Sequence, residues 1–416
     1  MKGYASALRE NVSRWIKEVK DVNILVGIPC YNNEDTISHV VSTVAEGLRT
    51  YFPDKKSALF VSDGGSTDNT REKAYTAPVP EGFQRRVTIY RGMPGKGTSF
   101  RAVFELAMHL KADCCVVVDS DLRSITPEWI KLLAEPVMKG NAEFVAPYYI
   151  RHKNDGTITN NIIYPITRAL YGLRMRQPIG GDFGFSGEMA VLYTKEDVWE
   201  TDVAKFGIDI WMSTTAINAG IKVVQAQLGT KVHDAKDPSE HLAPMFRQVV
   251  STLFYLMGKY ESKWRNIKGS TPVDTLGEPK EMSKIEPVSV NFNKLEAELL
   301  EGFSHFDPLY KQIIEPENYN NLSKNVQKLK KTGKIMFPAD LWAKILYDVA
   351  FTYQTWSRNK KKLIDIMVPL YFGRTAAYCH EVSGLDDEHA EKIVEDQAKI
   401  FESQKSYLVK KYEAWE

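Results

Sequence analysis

The 416-residue chain predicts an α/β fold, a mostly parallel sheet flanked by helices, followed by a mainly helical C-terminal region. Three observations predict it. Short apolar, β-branched runs alternate with stretches of helical periodicity, the pattern of βαβ units. The early runs end in polar, turn-forming residues that right-handed crossovers place along one edge of a sheet. From residue 293 onward the helical pattern is no longer interrupted by strand-like segments.

The elements follow in order. Residues 4–20 carry Leu8, Val12, Trp15, Ile16 and Val19 at helical spacing. Asn23 to Pro29 reads as a buried strand stopped by Pro29. A helix from about Thr36 puts Ile37, Val40, Val41, Val44 and Leu48 on one face. Strands are expected at 58–62, 86–90 and 114–118, with a helix from about Thr98 to Leu110. After Pro127 an amphipathic helix leads to a strand at 143–149. A polar loop, Arg151 to Asn161, then precedes a helix with Ile162, Ile163, Ile166 and Leu170. Arg174 to Gly187 holds four glycines and a proline, which predicts a loop whose backbone lies against a ligand. Gln225 to Asp234 is strand-like, 242–267 helical, and 268–292 a connecting loop. The expected domains are 1–267, catalytic, and 268–416, a helical extension suited to oligomerisation.

Composition excludes several classes. Lys and Arg total 54 against 53 Asp and Glu, a net charge of +1, so the global basic field of a nucleic-acid binder is absent. No run approaches the roughly 20 apolar residues of a membrane helix, and the N-terminal stretch lacks the apolar core of a signal peptide. Cys30, Cys114, Cys115 and Cys379 have no metal-type spacing and read as buried free thiols in a reducing cytoplasm.

The chemistry concentrates in four loops at the predicted sheet edge: Pro29 to Asp35, Asp63 to Thr70, Gly92 to Gly97, and Asp119-Ser120-Asp121. Each alone is an ordinary turn sequence. Together they form an edge where open α/β sheets bind ligands. Two carboxylates one residue apart repel each other unless a cation sits between them, and carboxylates with a diphosphate are typical ligands of Mg2+ or Mn2+. Later in the chain, Asp209 sits in the apolar run 206–211 and needs a partner if buried. His233 ends a strand-like run and has the chemistry of a metal ligand.

In their order these loops resemble the nucleotide-sugar signatures of GT-A-fold glycosyltransferases. Arg176-Gln177-Pro178-Ile179-Gly180-Gly181-Asp182, Gly207-Ile208-Asp209-Ile210 and Leu228-Gly229-Thr230-Lys231-Val232-His233, followed by Met245 to Val249, are similar to the retaining glucosyl-3-phosphoglycerate, glucosylglycerate and mannosyl-phosphoglycerate synthases. The resemblance spans about residues 22 to 255. It implies that Pro29, Tyr31, Asn32, Glu34, Asp63, Ser66, Lys96, Asp119, Ser120, Gly180 and Gly181 hold the nucleotide-sugar. It makes Asp121 and His233 ligands of Mg2+ or Mn2+, and places Lys231 near the diphosphate. Asp209 is implied at the sugar and acceptor, and the backbone carbonyl near Ile179 at the acceptor hydroxyl. Gly156, Thr157, Thr159 and Asp182 are the expected acceptor residues.

Two departures bear on the acceptor. The phosphoglycerate enzymes carry Gly-Arg-x-Thr where this chain has Gly156-Thr157-Ile158-Thr159, and an Asn two positions after the His where this chain has Ala235. Phosphate recognition favours Arg. The expected reaction is therefore transfer of glucose from a nucleoside-diphosphate-glucose to D-glycerate, giving the compatible solute glucosylglycerate, by a cytoplasmic homodimer. Transfer of glucose or mannose to 3-phosphoglycerate is the alternative, with Arg151 or Lys153 supplying the missing charge. An inverting GT-A enzyme with Asp209 or Asp182 as base, and a non-catalytic nucleotide-sugar-binding protein, are the readings from other classes.

Overall fold

The computed structural model describes residues 5–233, 242–279 and 285–415. In chain order the first elements are α1 (Glu10–Val19), β1 (Ile24–Cys30), α2 (Ile37–Tyr51), β2 (Ser57–Asp63), α3 (Thr70–Thr76), β3 (Gln84–Ile89), α4 (Lys96–His109), β4 (Cys114–Val117), α5 (Pro127–Met138) and β5 (Phe144–Ile150). There follow α6 (Tyr164–Tyr171), β6 (Leu173–Arg174), β7 (Phe183–Ser186), α7 (Gly187–Thr194), α8 (Ile208–Ala219), β8 (Val223–Thr230), α9 (Leu242–Lys259), α10 (Glu261–Trp264), β9 (Thr271–Pro272) and β10 (Thr275–Leu276). Five helices complete the chain: α11 (Phe292–Ile313), α12 (Pro316–Thr332), α13 (Ala339–Thr355), α14 (Lys360–Val382) and α15 (Asp387–Glu413).

The chain divides into two compact units, and neither is continuous in sequence. The first comprises Met1–Ile150, Met175–Asp234 and Val273–Ile285; the second comprises Arg151–Arg174, Ala235–Pro272 and Glu286–Glu416. The expected division at residue 267 does not match this. The stretches 151–174 and 242–272 pack with the C-terminal helices instead.

The first unit is built on a sheet of order β10-β8-β5-β7-β4-β1-β2-β3. β1 is buried at every position and pairs in parallel with β2 and β4. Its residues alternate between two faces. Ile24, Val26, Ile28 and Cys30 join a core with Val40, Val41 and Val44 of α2 and Ile130 and Leu133 of α5. Gly27 faces α4 on the other side, where a Cβ would stand 2.5 Å from Val103 Cγ2. Each fully buried aliphatic side chain in these layers contributes about 1.5–3 kcal/mol of transfer free energy. All four cysteines are free and buried.

Two details differ from the sequence reading. β1 runs through Pro29, which pairs with Ser62 in register, because the β4 ladder ends at Gly27 and no neighbour on that side needs the missing N–H. The glycine-rich stretch contains β7, which lies antiparallel between β4 and β5. Gly184 is required there by protein: a Cβ would lie 2.0 Å from the Leu133 carbonyl of α5.

The second unit is helical apart from the small β6–β9 pair. Two of its buried arginines are matched by carboxylates. Arg168 of α6, 3% exposed, reaches Glu395 at 2.7 Å and Glu402 at 3.0 Å on α15. Arg374 of α14 bonds Gln397, Glu381 and the Phe337 carbonyl. The loop expected at 151–161 ends in a π-helical turn, Thr159–Ile163, whose Asn161 carbonyl accepts the Trp342 indole N–H at 2.8 Å. No described helix is long and apolar enough to cross a membrane.

Candidate active site

The loops after β1, β2, β3 and β4 share the C-terminal edge of the sheet, and three of them are laced together. Asn32 sits in the left-handed region at φ 53°, tolerable for Asn. Its N–H donates to Ser66 Oγ at 2.9 Å and its Oδ1 accepts the Thr67 N–H at 2.9 Å. Glu34 accepts from the Asn69 side chain at 2.9 Å. Asn33 links the loops most widely. Its N–H donates to Thr70 Oγ1 at 2.7 Å, while its Oδ1 accepts the Tyr31 N–H at 3.0 Å and the Ser120 hydroxyl at 2.8 Å. The Thr36 hydroxyl donates to the Ser120 carbonyl at 2.7 Å. Asn33 and Thr36 are absent from the sequence-derived site. The signal was only that both lie in or beside a turn already marked.

The side chains in these loops divide into presented and withdrawn groups. The Tyr31 ring is 60% exposed and stands over Gly64, an open stacking face for a planar base. Asp63 is fully buried. Its oxygens accept the Gly65 N–H at 2.9 Å, the Ser66 N–H at 3.0 Å, the Ser66 hydroxyl and the Cys30 thiol. Asp63 and Ser66 thus shape the second loop rather than facing solvent. Burial, with Asp63 beside it, pushes the Cys30 thiol well above its ordinary pKa.

A charged cluster gathers next to them. Lys96 opens α4 and lies 2.8 Å from Asp119 and 3.4 Å from Asp209. Lys231 lies 3.1 Å from Asp119 and 2.9 Å from Asp182, and donates to the Gly180 carbonyl at 2.9 Å. Burial works to raise the pKa of Asp119, but Lys96 and Lys231 overcome it and hold the carboxyl well below the usual range. Burial works against the charge on Lys96 as well, and Asp119 and Asp209 more than restore it. Burial raises Asp209 despite Lys96. It also raises Asp121, where Asp119 adds repulsion and Lys231 and His233 offset part of it.

The glycines of this region are explained by protein atoms. A Cβ on Gly181, at φ 91°, would sit 2.1 Å from Asp119 Oδ2, and one on Gly180 2.1 Å from Pro147 Cγ. On Gly97 it would meet the Val203 carbonyl at 1.8 Å. The Gly95-Lys96-Gly97 loop is therefore the seat of the 3-10 turn Asp202–Ala204, which leads into α8 and Asp209. The expected close approach of a ligand is not what these positions require.

Asp182, expected at the acceptor, is fully buried beneath Asp119. It accepts the Asp119 N–H at 2.7 Å, the Tyr149 hydroxyl and Lys231. Tyr149 was not foreseen either; it reads as core from its place in an apolar strand. Ile179 is half-buried in the turn above this cluster.

Residues 121–124 and 230–233 are knitted: the Arg123 N–H donates to the Val232 carbonyl at 2.9 Å, Arg123 Nη2 to the His233 carbonyl at 3.2 Å, and the Val232 N–H to Ser124 Oγ at 2.9 Å. This lacing carries His233 toward Asp121. Among the described residues no three or more His, Cys, Asp or Glu side chains form a metal cage. Asp234 and Ala235 lie outside the described residues.

Gly156, Thr157 and Thr159 belong to the second unit. Thr157 is fully buried and its hydroxyl shares a 2.7 Å hydrogen bond with Tyr371. Lys153 is tied down: its Nζ donates to the Ser383 carbonyl at 2.9 Å and the Leu385 carbonyl at 2.5 Å. Arg151 lies 3.4 Å from Asp155.

Residues 25–199 match the family model described as glycosyl transferase family 2. No curated protein sequence matches the chain. Among solved structures the chain is similar to glucosyl-3-phosphoglycerate synthase from Mycobacterium tuberculosis in complex with Mn2+, uridine diphosphate and glucosyl-3-phosphoglycerate. The identity is 23% over 62% of this chain and 87% of that one, with a TM-score of 0.46. A second structure of that synthase, with Mg2+ and uridine diphosphate, matches at 22% identity over 62% of this chain and 85% of that one, TM-score 0.44. The laced loops, the Asp119–Asp121 pair and Lys96 all lie within the segment that matches the glycosyl transferase family 2 model.

Proposed function

We propose that the chain transfers glucose from a nucleoside-diphosphate-glucose to D-glycerate, with retention of configuration, giving glucosylglycerate. The observation that carries the donor half is the convergence of Lys96, Lys231, Asp119, Asp121 and Asp209 at one sheet edge. Such a cluster offers both cations and carboxylates where a diphosphate must be held and released. Tyr31 supplies the face for the base, and the laced loops fix it relative to Ser120.

The residues fit a divalent ion. Asp121 with His233 gives one hard oxygen and one imidazole nitrogen, a donor set that Mg2+ or Mn2+ accepts when phosphate oxygens complete it. A cage of two protein ligands leaves the remaining positions to the substrate. The bound ion would neutralise the charge that develops on the departing diphosphate. Lys96 keeps its proton and adds a second positive charge at that place. Asp209, raised in pKa by burial yet paired with Lys96, accepts a hydrogen bond from a sugar or acceptor hydroxyl. No side chain in the described cluster stands apart as a dedicated nucleophile, which supports front-face attack with the leaving phosphate taking the acceptor proton.

The acceptor choice rests on what the Gly156–Thr159 stretch lacks. Thr157 replaces an arginine, and its hydroxyl is committed to Tyr371. The nearby cation Lys153 is committed to Ser383 and Leu385. Neither residue offers a phosphate the bidentate fork of an arginine, and the described Arg151 lies 3.4 Å from Asp155, so we assign the unphosphorylated acid.

The test is a donor screen with the pure protein and Mg2+ or Mn2+, using D-glycerate and 3-phosphoglycerate in parallel, with the product's anomeric configuration read by NMR. Glycerate should be the better acceptor and the α-glucoside the product. Preference for 3-phosphoglycerate overturns the acceptor assignment, and a β-glucoside overturns retention. Asp121→Ala should reduce transfer by about a thousandfold with an unchanged circular dichroism spectrum; normal turnover in that variant removes the metal assignment.

A further inference from the structure

The Pro178–Asp182 turn is held from both ends. On one side Lys231 donates to the Gly180 carbonyl at 2.9 Å, and Asp182 is fixed by Asp119, Tyr149 and Lys231. On the other, the hydroxyl of Ser213, fully buried in α8, donates to the Pro178 carbonyl at 2.6 Å. Serines inside helices more often turn back to the carbonyl four residues earlier. Ser213 instead reaches out of its helix to the turn. It lies four residues after Asp209, on the same face of α8. One helix thus carries both the carboxylate beside Lys96 and the hydroxyl that grips the turn.

Between the two clamped carbonyls lies that of Ile179. It accepts no hydrogen bond from any described residue, and its residue is half-buried. A peptide whose flanking carbonyls are both pinned has its own C=O fixed in direction. Such a carbonyl, two residues before Gly181, is an acceptor waiting for a hydroxyl donor.

We propose that Ser213 is a positioning residue for transfer: it locks the Pro178–Asp182 turn in register with Asp209, so that the Ile179 carbonyl and the Asp209 carboxylate address the reacting hydroxyls together. The proposal rests on the glycosyl-transfer reading above. Ser213 touches no substrate; it acts through the turn.

The experiment compares Ser213→Ala and Ser213→Thr in the full chain. In hydrogen–deuterium exchange, Ser213→Ala should raise exchange across residues 178–186 at least about tenfold and leave β1 and β2 peptides unchanged. In transfer assays its kcat should fall about 10- to 100-fold, with the donor KM and the affinity for uridine diphosphate plus Mn2+ within about twofold. Ser213→Thr, which keeps the hydroxyl, should recover most of both. Unchanged exchange in the alanine variant overturns the proposal whatever the activity. A uniform loss that tracks melting temperature and is not rescued by threonine overturns it too. A wild-type protein that transfers nothing, while Ser213→Ala still loosens the turn, places the failure in the functional reading rather than in the lock.

Discussion

Replacing Lys231 by Met tests the charged cluster most directly. The side chain is 3% exposed, and its ammonium serves Asp119, Asp182 and the Gly180 carbonyl, matching the three protons it has to give. The substitution keeps much of the apolar stem and removes the charge. Asp119 would retain Lys96 at 2.8 Å, so the stranded group is Asp182, which is fully buried. Removing one partner of a buried pair typically costs about 3–5 kcal/mol. Asp182 keeps the Asp119 N–H and the Tyr149 hydroxyl, which places the expected loss near the lower end, about 3 kcal/mol. Urea unfolding followed by far-UV circular dichroism reads it as a lower midpoint at an unchanged slope. The double variant Lys231→Met with Asp182→Asn removes the stranded charge but preserves hydrogen-bonding capacity. It should recover at least half of the loss, a coupling of more than about 1 kcal/mol. A single variant that loses less than about 1 kcal/mol, or a double variant equal to the sum of the singles, would refute the reasoning.

Two further expectations concern backbone fit and pH. Gly97→Ala drives a Cβ to within 1.8 Å of the Val203 carbonyl. The 202–204 turn must move, and Asp209 with it, so transfer should fall at least about tenfold; wild-type rates in this variant would show that the turn does not set Asp209. Lys405 is buried, and burial lowers its pKa from 10.5 to about 8 although Glu402 partly opposes this. The unfolded chain therefore binds more protons than the folded one between about pH 8 and 10.5, and stability contributed by this group rises with pH across that window. The gain amounts to at most roughly 3 kcal/mol. Lys405→Met should flatten that part of the stability–pH curve, and an unchanged slope would exclude Lys405 as its source.

Much of the first unit was legible because its signals are local. The β-branched runs of β1 and β4 could bury both faces only within a sheet, and Pro127, Gly95 and Ser66 marked the turns beside them. The glycine-rich stretch was harder to read. A glycine required by a ligand and one required by neighbouring protein atoms leave the same letter in the sequence, and Gly97, Gly181 and Gly184 are of the second kind. Carboxylates raise the same ambiguity. Asp63, Asp119 and Asp182 all stand near turns, but only the fold tells which face the cleft and which are buried as supports. Asn33 and Ser213 escaped because a hydrogen bond across elements has no periodicity.

The discontinuity of the helical unit bears on how the chain is made. Residues 151–174 leave the ribosome well before α15, yet the carboxylates that pair with Arg168 among the described residues, Glu395 and Glu402, lie on α15. During synthesis this segment must be carried unfinished until α15 emerges. A truncation at residue 267 would leave the Arg168 guanidinium, and the apolar face of α9, with no second half to close over them. Aggregation of the shortened chain is the expected result. The helices from α11 to α15 complete a body begun at residue 151, and that body cannot close before α15 has been made.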